Sequence, residues 1–184
     1  MGRAAKATQN NTVAVGNTAE ATASDAVAIG KEAKATQARS IAVGLNAIAR
    51  DGDDTIAIGT RADAKKEKSI AIGHEAGAAD ANSMALGNGA WAKAGDSTAI
   101  GRKSTAHNSR ALAFGPESNA FGSNSVAFGY QSAAHHDNTV AIGSNTQARG
   151  QGSIAIGVNA KSNNDAEGTV VIGRDAFSEG SGNG

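Results

Sequence analysis

Ser69-Ile70-Ala71-Ile72-Gly73 is a five-residue phrase that the chain repeats along nearly its whole length. Upstream it reads Thr12-Val13-Ala14-Val15-Gly16, Ala26-Val27-Ala28-Ile29-Gly30 and Ser40-Ile41-Ala42-Val43-Gly44. Its glycine recurs at Gly2, Gly16, Gly30, Gly44, Gly59, Gly73, Gly87, Gly101, Gly115, Gly129, Gly143, Gly157 and Gly173. The spacing is 14 residues, except for 15 between Gly44 and Gly59 and 16 between Gly157 and Gly173. Self-similarity at one short period marks a repeat architecture, in which each unit buries its surface against its neighbours.

Apolar residues alternate with Ala inside the phrase, and a period of 2 is strand spacing, not helix spacing. A second phrase, Ala-x-Ala, follows each glycine, as in Ala33-Lys34-Ala35, Ala62-Asp63-Ala64 and Ala90-Trp91-Ala92. Each unit therefore holds two short strands and two turns. Gly suits the first turn because it accepts positive φ without a Cβ clash. Asn, Asp, Ser and Gly fill the second turn, where side chains bond the local backbone. The extra residues fall in that second turn, near Asp51–Asp54 and Asn163–Gly168, where they leave a ladder undisturbed. Equal units of this size stack in parallel, strand on strand. The expectation is an all-β parallel solenoid of about 13 coils, one domain over residues 1–178, with 179–184 leading out as a tail. Gly2 is already in register, so the chain is expected to be a piece of a longer one.

The apolar pair of the first strand is expected to form two core columns, Val27, Ile41, Ile56, Ile70 and Ile29, Val43, Ile58, Ile72, with Phe114 and Phe128 in the second. The alanines of the second strand would face them, large against small. The central alanines then form an outward column, Ala14, Ala28, Ala42, Ala57, Ala71, Ala85, Ala99, Ala113, Ala127, Ala141 and Ala155. Parallel sheets are seldom left bare to water, so this charge-free stripe is expected to be a self-association interface. The central residue of the second strand varies (Glu20, Lys34, Ile48, Asp63, Gly77, Trp91) and marks the solvent wall.

Composition narrows the function classes. Lys plus Arg equals Asp plus Glu, 17 each, which gives no electrostatic reason to expect a nucleic acid or an anionic membrane as partner. Cys is absent, so there is no thiolate metal site and no cysteine nucleophile. No apolar run approaches the roughly 18 residues that span a bilayer. Met1-Gly2 begins like a myristoylation signal, but Lys6 stands where that motif needs Ser or Thr.

The candidate chemistry is thin. His135-His136-Asp137 has metal-ligand side chains, but neighbours in an extended loop diverge and no fourth ligand is evident. Asp51-Gly52-Asp53-Asp54 lacks the rest of a calcium loop. Neither is assigned a metal, and no cofactor or catalytic residue is assigned. Lys65-Lys66-Glu67-Lys68 is a small basic turn, and Trp91 is an outward aromatic that can anchor a partner. Lys65, Lys66, Lys68 and Trp91 are the candidate ligand contacts. A hexapeptide-repeat acyltransferase needs another period, and an ice-binding solenoid needs regular surface Thr. The column Thr12, Ser40, Thr55, Ser69, Ser83, Ser97 mixes Ser with Thr and suits turn hydrogen bonds better.

Ser40-Ile41-Ala42-Val43-Gly44, Ser69-Ile70-Ala71-Ile72-Gly73 and Asn124-Ser125-Val126-Ala127-Phe128-Gly129 resemble the head repeats of YadA-like trimeric autotransporter adhesins. The resemblance runs from Gly2 to about Ser178. It implies a left-handed parallel β-roll and a homotrimer projecting from the outer membrane of a Gram-negative bacterium. It also implies cell adhesion through host extracellular-matrix or cell-surface molecules, with neither nucleic acid nor membrane touching this piece. No heptads of a stalk are visible. The expected function is a non-enzymatic adhesin head. The alternative is a structural spacer that displays a separate binding tip.

Overall fold

The computed structural model describes residues 2–164 and 167–178; the expected tail at 179–184 lies outside the described residues. The chain divides into two compact units, Met1–Gly95 and Asp96–Gly184. Each is a parallel β-solenoid with no helix among the described residues, and the chain makes about 12 turns in all.

Each coil contributes a three-residue strand centred on the repeat's alanine, such as Val27–Ile29 or Ile70–Ile72, and a two-residue strand such as Lys34–Ala35 or Trp91–Ala92. In the first unit, seven two-residue strands form one wall and six three-residue strands the other; in the second unit, each wall has six. Every strand pairs with the equivalent strand one repeat away, so Ala28 meets Ala42 and Ala71 meets Ala85. The longer repeats do not shift this register. Ala42 still meets Ala57, and Ala155 still meets Val171. The extra residue near Asp51–Asp54 is taken up in the second turn, as expected, while residues 165 and 166 of the other lengthened turn lie outside the described residues.

Two backbone devices make the corners. The repeat's glycine has φ near +135° (Gly73 at 136°), a region L-residues avoid. A Cβ on Gly73 would also lie 2.4 Å from the carbonyl oxygen of Gly87 in the next coil. Conformation and stacking thus exclude any side chain at that corner. The second device is a left-handed residue in both turns of each coil, for example Thr18 and Asp25, then Glu32 and Arg39, all with φ between 54° and 60°. Asn and Asp tolerate that conformation best. Glu and Arg adopt it here because the ladder holds them. The amide of Asp25 donates to the Asn10 carbonyl at 3.0 Å, and that of Arg39 to the Ser24 carbonyl at 2.9 Å.

The interior differs from the expectation. The central alanines of the three-residue strands do not face outward. Ala28, Ala42, Ala57, Ala71, Ala85, Ala99, Ala113, Ala127, Ala141 and Ala155 are all 0% exposed within the single chain, and Ala14 is buried as well. They meet the alanines of the other wall, such as Ala33 and Ala35, which are equally buried. The interior is therefore small against small. The largest fully buried side chains are Thr and Ser. Ala fills this inward column at every rung but the last, where Val171 is buried at 6%, and strand alternation turns the apolar pair outward. Phe114 and Phe128, expected in the core, are 40% and 46% exposed. The eleven alanines accordingly cannot supply an interface between subunits.

The Ser/Thr column behaves as expected. Ser40, Ser83 and Thr139 are buried, and their hydroxyls donate to the carbonyls of Gln37, Asp80 and His136 at 2.6, 2.5 and 2.6 Å. Each bond ties the end of the second turn to its start. Thr55 follows the lengthened Asp51–Asp54 turn, and its buried hydroxyl has no partner.

Candidate binding surfaces

With the small residues inside, three outward surfaces remain: the apolar face of the three-residue strands, the variable wall of the two-residue strands, and the turns. On the first, the outer residues of successive strands stack in two columns. In the first unit these include Val13, Val15, Ile29, Ile58 and Leu86, each 37–44% exposed. In the second they include Phe114, Phe128, Ile142 and Ile172. The rings of Phe114 and Phe128 stack at 4.8 Å with 4° between planes. No charged residue interrupts either column. Monomeric proteins rarely leave a contiguous apolar surface of this kind in water.

The variable wall and the turns carry charges whose partners are one coil away. Lys6 pairs with Glu20 at 3.0 Å, Arg39 with Asp54 at 2.6 Å, Arg61 with Glu75 at 2.9 Å and Arg102 with Glu117 at 2.6 Å. The Lys6 hydrogen bond holds the Glu20 carboxyl below its usual range, and Gln131 and Arg102 do the same for Glu117. Exposed pairs of this kind contribute little to stability.

The candidate ligand contacts do not form one patch. Lys65 and Trp91 come together, with the Lys65 Nζ 5.8 Å from the indole centroid. Lys66 is exposed at the turn beyond, where its amide donates to the Ser69 hydroxyl. Lys68 pairs with Glu67 at 2.8 Å, which raises its pKa. The basic turn is thus partly neutralised by its own glutamate.

His135 does not combine with His136 and Asp137. Its ring joins a ladder with Phe121 at 5.3 Å, and Phe121 stacks in turn on His107 at 4.4 Å. Asp137 accepts from the Ser123 amide at 2.6 Å. Among the described residues, no three His, Asp or Glu side chains gather as a metal site. A recess of about 290 Å³ beside the ladder is lined by Phe121, His135, Asp137 and Gln151. The equal spacing of His107, Phe121 and His135, 14 residues apart, was the sequence signal for this ladder.

Burial, and then the nearby charges of Arg149 and His136, push the His135 pKa down. The unfolded chain then binds a proton that the folded chain resists, beginning near pH 6.5. Stability from this residue is fully present above that pH and is lost as pH falls toward the depressed folded value. The melting temperature of the second unit is therefore expected to drop between pH 7.5 and pH 5.5, and less so in His135→Phe. Equal drops in both proteins would show that His135 does not set the slope.

The YadA head domain repeat matches the chain at residues 1–19, 21–47, 51–76, 64–90, 78–104, 92–118, 106–132, 122–146, 134–160 and 148–176. The matched repeats run through residues 95 and 96 without a change of period. No curated protein matches the chain. Among solved structures it is similar to the collagen-binding domain of the Yersinia adhesin YadA, at 28% identity and a TM-score of 0.53, over 71% of this chain. The chain spans 64% of the length of that domain. A 14-residue repeat with buried Ser and Ala, an outward apolar pair and a corner glycine thus accounts for the sequence match and the fold alike, and the chain belongs to the YadA head-repeat family.

Proposed function

We propose that this chain is the head of a homotrimeric adhesin. It would work without catalysis on the outer membrane surface of a Gram-negative bacterium and bind host extracellular-matrix or cell-surface molecules. The observation that carries this reading is the pair of apolar columns left in water by the single chain. Three chains packed on these columns remove them from water at about 25 cal/mol per Å², which an interior of Ala and Ser does little to supply. The variable wall and the turns then remain as the surface presented to the host, each in three copies. The Yersinia domain, a collagen binder, supports a matrix protein as the class of partner. Modest contacts repeated over three chains and many molecules per cell would add up through avidity.

Purified trimer should bind at least one of collagen, fibronectin or laminin saturably, and substitutions on the variable wall should weaken that binding without changing the oligomer. Silence across the panel would turn the assignment to a spacer that lifts a separate binding tip.

A further inference from the structure

We propose that Trp91, lying flat on Gly77, is a stacking platform for a neutral hexopyranose ring of a host glycan, with Lys65 and Asp63 as its polar rim. This rests on the surface-binding reading above. Trp91 occupies an outward position of its two-residue strand and pairs with Gly77 one coil earlier. A Cβ on Gly77 would lie 3.2 Å from Cδ2, 3.2 Å from Cε3 and 3.4 Å from Cε2 of the indole. Three bonded ring atoms at nearly equal distance mean that Gly77 meets the face of the ring, not its edge. Gly77 is buried beneath the indole, while Trp91 stays 41% exposed. One face therefore rests on the backbone, and Lys65 Nζ stands over the ring 5.8 Å from its centroid.

Gly77 is the one glycine in its column, where other coils place Lys34, Asp63 or Gln147. Any of those would prop the ring off the wall. A rigid exposed indole loses little freedom on binding, and its electron-rich face attracts the C–H bonds on the apolar side of a sugar ring. At the rim, Lys65 Nζ stands 3.6 Å from Asp63 Oδ2. Asp63 is also held by Arg50 at 3.3 and 3.2 Å, and Arg50 lies 3.7 Å from Asp51. The Asp63 carboxylate beside Lys65 disfavours an anionic ligand at the rim. A donor beside an acceptor matches two vicinal hydroxyls, one accepting from Lys65 and one donating to Asp63. A proline ring could stack on the same indole but has no hydroxyl donor for Asp63.

Trp91 is the sole tryptophan, so intrinsic fluorescence reports this site directly. Lactose and N-acetyllactosamine should shift its emission saturably, and immobilised lactose should retain the trimer. Trp91→Ala should weaken retention about five- to tenfold. The fold tolerates this change, since the column already varies widely. Gly77→Ala should weaken retention while keeping the tryptophan, because the added methyl lifts the ring. Lys65→Met should weaken retention with the platform intact. No emission change up to about 0.1 M sugar, far above a millimolar Kd, would overturn the proposal, as would a shift produced only by a proline-rich triple-helical peptide. If the trimer still binds matrix proteins in that case, the platform alone falls and the adhesin reading stands.

Discussion

Replacing Ile58 and Ile72 together with Glu is expected to turn the proposed trimer into monomers, read by size exclusion with light scattering. Both side chains occupy the same outward column on adjacent rungs and pair in register. Ile58 is 37% exposed in the single chain, so a carboxylate there is solvated in the monomer and costs it little. In the trimer, three chains would bring six carboxylates into an apolar contact. Each buried unpaired charge costs several kcal/mol, and the like charges repel. The monomer should keep its circular dichroism spectrum, because the interior is untouched. Lys34→Glu, on the variable wall, should leave the trimer intact. A double mutant that remains trimeric would remove the apolar columns as the interface.

Ala85→Leu is expected to do the opposite and to damage the fold before the assembly. Ala85 is 0% exposed and stacks on Ala71 between walls whose interior holds nothing larger than Thr among its fully buried side chains. Overpacking of this kind costs about 1–3 kcal/mol in ordinary cores. The upper end applies here, because the ladder on both sides prevents the walls from parting locally. At about 3 kcal/mol, the melting temperature should fall by about 6–12 °C for a chain of this length. Ala85→Ser, a residue the interior already carries elsewhere, should change it far less. A Leu variant that melts like the parent but elutes as a monomer would put Ala85 at the subunit contact and reverse the assignment of faces.

The period, the two strands per coil, the parallel stacking, the corner glycine and the placing of the inserted residues were all legible in the sequence. The faces of the three-residue strand were not. Apolar residues are usually inside, and that general preference put Val27 and Ile29 in the core. A finer periodicity contradicts it. Ala14, Ala21, Ala28, Ala35, Ala42 and Ala49 are spaced by seven, and the left-handed residues Thr18, Asp25, Glu32, Arg39 and Asn46 follow the same spacing. Each coil is two similar halves, so Ala28 is the counterpart of Ala21 and Ala35. Once the two-residue strand points its alanine inward, the three-residue strand must do the same. What hid this was the second wall's varied outward residue, which made the halves look unlike. The flat seat of Trp91 on Gly77 had no such signal, because it depends on where one ring leans and not on any spacing.

A Cβ on corner glycines such as Gly73 and Gly129 would strike the carbonyl of the next coil, so the same close stacking repeats from rung to rung. Every rung presents the same template to the one above it, so whole multiples of fourteen residues can be duplicated or lost by recombination between repeats without a new junction to be solved. A stack of this kind can lengthen or shorten by whole rungs while its apolar columns keep their pattern. The length of the stack could then change faster than its fold does.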